Sequence, residues 1–186
     1  MDFTGELRLL QAKAPLTQET AFRFFDDLEP AAPDLLYGRW RGYELPAGHP
    51  MDGLLTAIRW YGKIIFNEEQ VHPLLFRTGR GGVFIANPGM LPLESFERFP
   101  RKPAALLFPL VSLFIRTKQP KARLRTIKFR SKITAAMLYD QKPVIDVFAR
   151  IDDNTILGVT DLKWEHNLGY FFILERMTGE KQEDDV

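Results

Sequence analysis

Five short apolar segments follow one another from residue 121 onward, and this pattern constrains the fold more than any other feature of the sequence. Turn-forming residues separate them, because 140–143, 152–154 and 166–169 are rich in Asp, Asn, Gly and Pro. Within several segments apolar and polar residues alternate, as in strands with one buried face. The pattern predicts an antiparallel meander with strands at 123–131, 133–139, 144–151, 155–164 and 169–177.

The first half of the chain predicts a few helices and additional strands. Thr17 can cap a helix over 16–28, whose apolar residues recur at helical spacing. Asp52 can cap a second, shorter helix with one apolar side. Residues 101–120 contain several prolines and are expected to be irregular. The earlier strand candidates lie at 38–45, 64–66, 73–76 and 82–86.

About eight strands in total are enough to close a small barrel around an interior that holds one small ligand. The chain has 186 residues, of which 45% are hydrophobic, and it has the size of one domain. We therefore expect an α+β, mainly β fold: a small antiparallel barrel or curved sheet with a few N-terminal helices. The single domain is expected over 1–178, with a polar tail at 179–186.

Composition removes several classes of protein. The absence of cysteine excludes disulfides, thiolate metal sites and Cys nucleophiles. The longest apolar run, 104–115, has twelve residues and contains Pro109, so it is too short to cross a bilayer. The first residues lack the pattern of a signal peptide, and the net charge is +1. These features predict a soluble, cytoplasmic protein.

Residues 38–42 read Gly-Arg-Trp-Arg-Gly, a GXWXG motif, and further motifs follow it in order. The chain resembles the GXWXG family, a short module joined to a companion domain of unknown function. The resemblance covers 34–176 and implies a GXWXG-type portion at 34–100 and a C-terminal meander portion at 121–178. It implies no settled activity. The other motifs are at 49–55, 60–66, 135–140, 143–148, 158–161 and 170–176.

A second resemblance is to lipocalin-like barrels, whose first strand carries a Gly-x-Trp with the indole packed under an Arg from the last strand. Gly38, Trp40 and Arg176 match those positions. The resemblance implies a guanidinium-over-indole contact worth about 0.5–2 kcal/mol.

Two aspartates in the meander are candidate catalytic groups. Asp146 shares one strand face with Phe148, and Asp161 lies in the next strand. If both point inward, two carboxylates enter an apolar space and can act as acid and base. The alternative is that Asp146 pairs with Arg150 on the outer surface, because polar residues usually face outward.

Lys63 and His49 are the other candidate catalytic residues. Lys63 lies between Tyr61 and Phe66, where desolvation would make its amine a base or a Schiff-base nucleophile, unless the amine reaches water. His49 lies three residues before Asp52, and a carboxylate at that spacing can orient a general base. The alternative is that Asp52 only caps a helix. Candidate ligand-binding residues are Trp40, Trp60, Tyr139, Phe148 and Phe172.

Metal and haem chemistry has little support. The three histidines are not spaced as metal ligands, and no metal site is predicted. His166 is the one residue that could ligate haem, although a turn histidine is more often solvated.

A basic segment, 116–132, has eight basic and no acidic residues, and it follows the apolar run. This arrangement favours a transient contact with a membrane surface, or a lid over a lipid-sized cavity. Nucleic acid is not expected as a partner, because a single aromatic residue, Phe129, lies in the segment. A solvated basic surface is the simplest alternative.

These observations predict that the domain binds a small hydrophobic or amphipathic ligand in the interior of the sheet, without a cofactor. The alternative is a cofactor-independent isomerase, cyclase or hydrolase that uses the carboxylates. The oligomeric state is left open.

Overall fold

The computed structural model describes residues 16–98, 100–165 and 167–178. Ten antiparallel strands form one sheet. They are β1 Glu29–Pro30, β2 Gly38–Glu44, β3 Trp60–Ile65, β4 Val71–Arg77, β5 Val83–Ile85, β6 Ala122–Phe129, β7 Lys132–Tyr139, β8 Val144–Arg150, β9 Thr155–Leu162 and β10 Tyr170–Arg176. The α-helices of the described residues are α1 Gln18–Asp27, α2 Leu54–Ala57 and α3 Arg101–Val111. The 3-10 helices are Asp34–Leu36, Pro88–Met90 and Leu93–Arg98.

The sheet closes on itself. Its strand order is β8-β7-β6-β4-β3-β2-β10-β9, and β9 also pairs with β8, so eight strands form a ring. The ring is narrowly joined between β4 and β6, where Val71 pairs with Ala122. The three first-half strands β2, β3 and β4 are neighbours in the ring, and the five strands of the second half complete it. The expected α+β, mainly β fold is confirmed.

Both faces of β8, in the middle of the meander, are covered. The inner side chains of β8 pack in the main core, whereas Val147 and Ala149 on its outer face pack against α1. Phe25 of α1 is fully buried there. The N-cap of α1 is Thr17, as predicted, and its side chain accepts a hydrogen bond from the backbone N–H of Thr20 at 3.2 Å. The apolar face of β8 therefore faces α1, and its polar residue faces the ring interior.

The GXWXG motif lies on β2 and contributes Trp40 to the main core. The Trp40 indole is fully buried, and its Nε1 donates to the Leu36 carbonyl at 2.7 Å. The guanidinium of Arg176 lies 4.3 Å from the indole centroid, the contact that the lipocalin resemblance implies. Gly42 is required because the Trp60 ring occupies the space of any Cβ there. The hydrogen bond and the Arg176 contact thus hold the Trp40 indole in the core.

Two local expectations are wrong, and a third is confirmed. Residues 101–111 are helical, because Pro103 lies in the first turn, where the missing N–H has no intrahelical partner. The short helix expected after Asp52 is present as α2 Leu54–Ala57. Asp52 does not cap it, because its Oδ2 accepts the backbone N–H groups of Ala47, Gly48 and His49.

Candidate functional site

A buried ion pair lies at the centre of the ring. Lys63 Nζ of β3 is 2.6 Å from Asp146 Oδ2 of β8, and both side chains are almost wholly shielded from solvent. The ammonium also donates to the Pro73 carbonyl at 3.0 Å. Opposite strands of the closed ring bring these two residues together across 83 positions of sequence. The candidate residues Lys63 and Asp146 therefore contact each other directly.

Two hydroxyl groups complete what we call the polar cluster: Lys63, Asp146, Tyr139 and Thr160. Tyr139 donates to Asp146 Oδ2 at 3.1 Å, and Thr160 donates to Asp146 Oδ1 at 2.7 Å. Burial, followed by the Asp146 charge, raises the pKa of Tyr139 well above its usual value. Tyr139 is consequently a neutral hydrogen-bond donor at physiological pH.

Aromatic rings surround the Lys63 ammonium. The nitrogen lies 5.6 Å from the Trp60 ring, 5.8 Å from the Tyr139 ring and 5.1 Å from the Phe172 ring. Phe148 packs against Phe172 with their centroids 6.3 Å apart. Cation–π attraction and the carboxylate together stabilise a charge that burial alone would disfavour. Phe148 and Phe172, two candidate ligand-binding residues, pack here as core residues around the ammonium.

A narrow cavity of about 50 Å³ reaches the polar cluster. Tyr139 and Thr160 form part of its wall, together with Tyr170. The Tyr170 hydroxyl donates to the Glu44 carboxylate, and burial, followed by that charge, raises its pKa well above its usual value. The remaining wall is apolar: Met51, Leu55, Leu74, Phe76, Leu91, Leu93, Val144 and Leu162.

A larger pocket of about 380 Å³, here called the apolar pocket, lies between α2 and α3. Leu91 belongs to the walls of both cavities, so the two adjoin. Phe108 anchors the inner side of α3 against Phe76 at 4.8 Å between ring centroids. The other lining residues are Leu54, Ile58, Pro92, Pro100, Pro103, Ala104, Leu107 and Val111.

The expected pair of inward carboxylates does not form, because Asp161 is exposed. Along β9, Thr160 points to the interior and Asp161 to the opposite side. The alternative pairing of Asp146 with Arg150 is also absent, since Arg150 contacts Asp153 at 2.6 Å. The interior cluster therefore contains one carboxylate and one ammonium.

His49 is buried but does not use Asp52 as the sequence predicted. Its Nδ1 accepts the backbone N–H of Met51 at 3.0 Å, and its Nε2 lies 2.9 Å from Glu165 Oε2. Burial lowers the pKa of His49 to about 4. The ring is therefore neutral at physiological pH, with its single proton on Nε2 facing Glu165. Asp52 only organises the preceding loop.

The other sequence candidates are distributed between core and surface. Trp40 packs in the main core and lines neither cavity described above. Trp60 lines a third pocket, on the outside of β2 and β3. His166, the haem candidate, lies outside the described residues. Among the described residues, no group of three or more His, Asp or Glu side chains is arranged to hold a metal ion.

Sequence reasoning missed Thr160, Tyr170 and Glu44. The Glu44 carboxylate accepts the backbone N–H groups of Gly53 and Thr56 at 3.1 and 2.8 Å, so it orders the start of α2. Residues two positions apart in a strand point to the same face. Thr160 is therefore on the inner face of β9, as Leu162 is, but this follows only when the face of Leu162 is known. No local signal separates Glu44 from an ordinary surface carboxylate.

These features define a mainly β protein whose closed antiparallel sheet encloses a polar cluster and carries a helix-covered apolar pocket. The chain belongs to the GXWXG family: residues 23–81 match the GXWXG protein model, and 120–176 match the domain of unknown function DUF4334. The resemblance drawn from the motifs is thereby confirmed.

The fold also occurs in a solved structure. A crystal structure of a protein from Thermomonospora curvata matches with a TM-score of 0.71 and 27% sequence identity, covering 96% of this chain and 100% of that chain. No curated protein matches the chain significantly.

Proposed function

We propose that this chain binds a small apolar or amphipathic molecule in the apolar pocket between α2 and α3. The observation that carries the proposal is the pocket itself, about 380 Å³ with a lining of aliphatic, aromatic and proline side chains. This volume lies within the range of about 300–1,000 Å³ that is usual for small-molecule sites. Transfer of an apolar ligand into such a pocket is favoured by about 25 cal/mol per Å² of buried apolar surface.

The adjoining narrow cavity gives an amphipathic ligand a polar contact. Tyr139 and Thr160 are on its wall, and both hydroxyls are oriented by Asp146. Each hydroxyl oxygen retains a lone pair that accepts a hydrogen bond from a ligand. The polar group of the ligand would then lie near Leu91, where the two cavities meet, with its apolar part under α3.

Helix α3 supplies the partner surface in this proposal. Apolar residues along this helix and in the following turn are exposed to solvent: Leu106, Leu107, Leu110, Val111, Leu113 and Phe114. Residues 100–132 contain ten basic and no acidic residues. Apolar side chains beside a purely basic segment complement an anionic lipid surface. No helix in the described part of the chain is long and apolar enough to cross a bilayer, so the proposed contact is peripheral.

Binding is tested with a fluorescent fatty-acid analogue, after native mass spectrometry of the purified protein to detect bound small molecules. Ala104 lines the pocket, whereas Ala105 on the same helix is exposed and does not line it. Ala104→Trp should fill the pocket and weaken binding at least tenfold, and Ala105→Trp should change it less than twofold. Absence of saturable binding, or equal loss in both variants, contradicts the proposal.

A second candidate function is acid–base catalysis on the bound ligand. The favouring observation is that Tyr139 and Thr160 both contact the narrow cavity and the Asp146 carboxylate. Three donors occupy the Asp146 oxygens, so about one lone-pair position of this carboxylate is left to accept a proton from the ligand. Turnover of ligands recovered from the purified protein tests this candidate. Turnover that persists in Asp146→Asn rules out Asp146 as the base.

A further inference from the structure

Three arginines from neighbouring parts of the sheet surround a pocket on the opposite side of α2. Arg41 is on β2, Arg77 ends β4, and Arg59 immediately precedes β3; all three line a pocket of about 370 Å³. We propose that this arginine pocket binds the phosphate or carboxylate group of a small anionic molecule. The site is separate from the apolar pocket, because Thr56 and Arg59 face this side and Leu54 and Ile58 face the other.

The three guanidinium groups have no carboxylate partner among the residues that the structure describes. None of them lies within 4.0 Å of an Asp or Glu oxygen. The acidic residue that lines the pocket is Glu44, and its oxygens already accept hydrogen bonds from the backbone of α2 and from Tyr170. The pocket wall therefore carries three positive charges and one negative charge, an excess of positive charge at one place on the surface.

Tyr61 fixes two of the three guanidinium groups. The Arg41 Cζ lies 4.3 Å from the Tyr61 ring centroid, and the Arg77 Cζ lies 4.9 Å from it. Arg41 also donates to the Tyr61 carbonyl at 3.4 Å. The ring is buried, so it holds both groups in position before any ligand arrives. An anion between them would relieve their mutual repulsion at little cost in side-chain entropy.

Arg59 occupies a backbone conformation that favours glycine, with φ at 62°. Its carbonyl accepts the backbone N–H of Arg77 at 3.0 Å, and its own N–H donates to the Thr56 carbonyl at 3.1 Å. A long cationic residue at such a position is uncommon and disfavours folding relative to glycine. Folding alone gives no reason for an arginine here, whereas a third donor group for an anion does.

The chemistry of the guanidinium group also suits an anionic ligand. The planar guanidinium group matches the two oxygens of a carboxylate or phosphate group, and it does so better than an ammonium. The pocket thus combines fixed positive charge, bidentate donors and space for more than the anionic group alone.

Calorimetric titration with inorganic phosphate, pyrophosphate and citrate tests the site at low ionic strength. We expect saturable binding of at least one probe, weakened by added NaCl. Arg41→Gln and Arg77→Gln should each weaken binding at least tenfold. The matched control is Arg80→Gln, which removes an equally exposed arginine outside the pocket and should change binding less than twofold. No saturable binding of any of the three probes, or equal loss in the control, overturns the proposal.

Arg59→Gly separates a binding role from a structural one. Glycine removes the strained conformation, so the thermal unfolding midpoint should stay unchanged or rise, while anion affinity falls at least fivefold. A lowered midpoint with unchanged affinity would mean that Arg59 is structural, and it would overturn the assignment of this residue. Binding of the fatty-acid analogue should be unaffected in all the arginine variants, so failure of this site is distinguishable from failure of the apolar pocket.

Discussion

The centre of the ring and the outward side of α3 depart from the usual distribution of polar and apolar groups in opposite directions. In the centre, Lys63 and Asp146 are charged groups enclosed by strands and aromatic rings. On α3, large apolar side chains such as Leu106 and Phe114 are exposed. The polar cluster has partners for its charges within the fold, whereas nothing among the described residues covers the helix. The charges of the first region are thus paired within the chain, and for the second region we propose a partner outside it.

The largest effect is expected from leaving one charge of the polar cluster without its partner. Lys63→Met should lower the free energy of unfolding by about 3–5 kcal/mol, because Asp146 remains buried without its counter-ion. The double variant Lys63→Met/Asp146→Leu should recover most of that loss. Urea denaturation of the purified proteins measures both values.

The matched control is an ion pair nearer the surface. Lys142 lies 3.1 Å from Glu94, and Lys142→Met should lower the free energy of unfolding by no more than about 1 kcal/mol. If Lys63→Met has as small an effect as this control, the central pair is not as desolvated as its contacts indicate. The contrast between the two regions would then be lost.

The buried His49 should make the free energy of unfolding depend on pH. Unfolding returns His49 to a pKa near 6.5, whereas burial holds it at about 4. The unfolded chain therefore binds the proton first as the pH falls, so stability is lost between about pH 6.5 and pH 4. From pH 7 to pH 5 we expect a loss of about 2 kcal/mol relative to His49→Gln. Urea denaturation at both pH values measures it.

His72 is also buried, with a lowered pKa, but it titrates in both proteins and cancels from this difference. If the wild type and the variant lose stability in parallel, His49 does not remain neutral in the folded protein. Its contact with Glu165 would then be an ion pair instead of a hydrogen bond from a neutral ring.

The strands were readable from the sequence, because alternation and turns are local signals. The predicted segment 144–151 corresponds to β8 Val144–Arg150, and 169–177 corresponds to β10 Tyr170–Arg176. Helix α3 was not predicted, because prolines usually interrupt helices. Pro103 lies in the first turn, where a missing N–H is tolerated, and the helix continues through Pro109 near its end.

Only part of the candidate site could be predicted from the sequence, because strand alternation is a local signal and closure of the sheet is not. Alternation grouped Asp146 with Phe148 on one face but could not say which face was interior, because α1 covers the other. The pairing of Lys63 with Asp146 depends on closure of the sheet, which brings together residues far apart in sequence. A contact between residues so far apart produces no pattern among neighbouring residues in the sequence. Asp161 was misassigned because the inward position of β9 belongs to its neighbour, Thr160.

Binding to lipid vesicles tests the exposed apolar residues of α3 and the turn that follows it. The triple variant Leu110→Ser/Leu113→Ser/Phe114→Ser removes exposed apolar groups, so its folding stability should change little, while its partitioning onto phosphatidylserine-containing vesicles falls more than tenfold. Ile133→Ser, an exposed apolar residue on β7, is the control and should change partitioning less than twofold. Co-sedimentation with anionic and with neutral vesicles measures the effect.

Two results would contradict the membrane contact. One is equal sedimentation of the wild type and the triple variant. The other is a wild-type dimer in light scattering that the triple variant converts to a monomer, because α3 would then be covered by a second copy of the chain. In either case the exposed apolar residues of α3 would have no role in lipid contact.

The smallest effect concerns a single hydroxyl in the polar cluster. Tyr139→Phe removes the hydrogen bond to Asp146 Oδ2 but leaves the Lys63 and Thr160 contacts in place. The free energy of unfolding should fall by about 1 kcal/mol. In the Lys63→Met/Asp146→Leu background the same change should have almost no effect, because no carboxylate remains to accept the proton. Equal losses in both backgrounds would show that the Tyr139 hydroxyl stabilises the fold through a contact other than the one with Asp146.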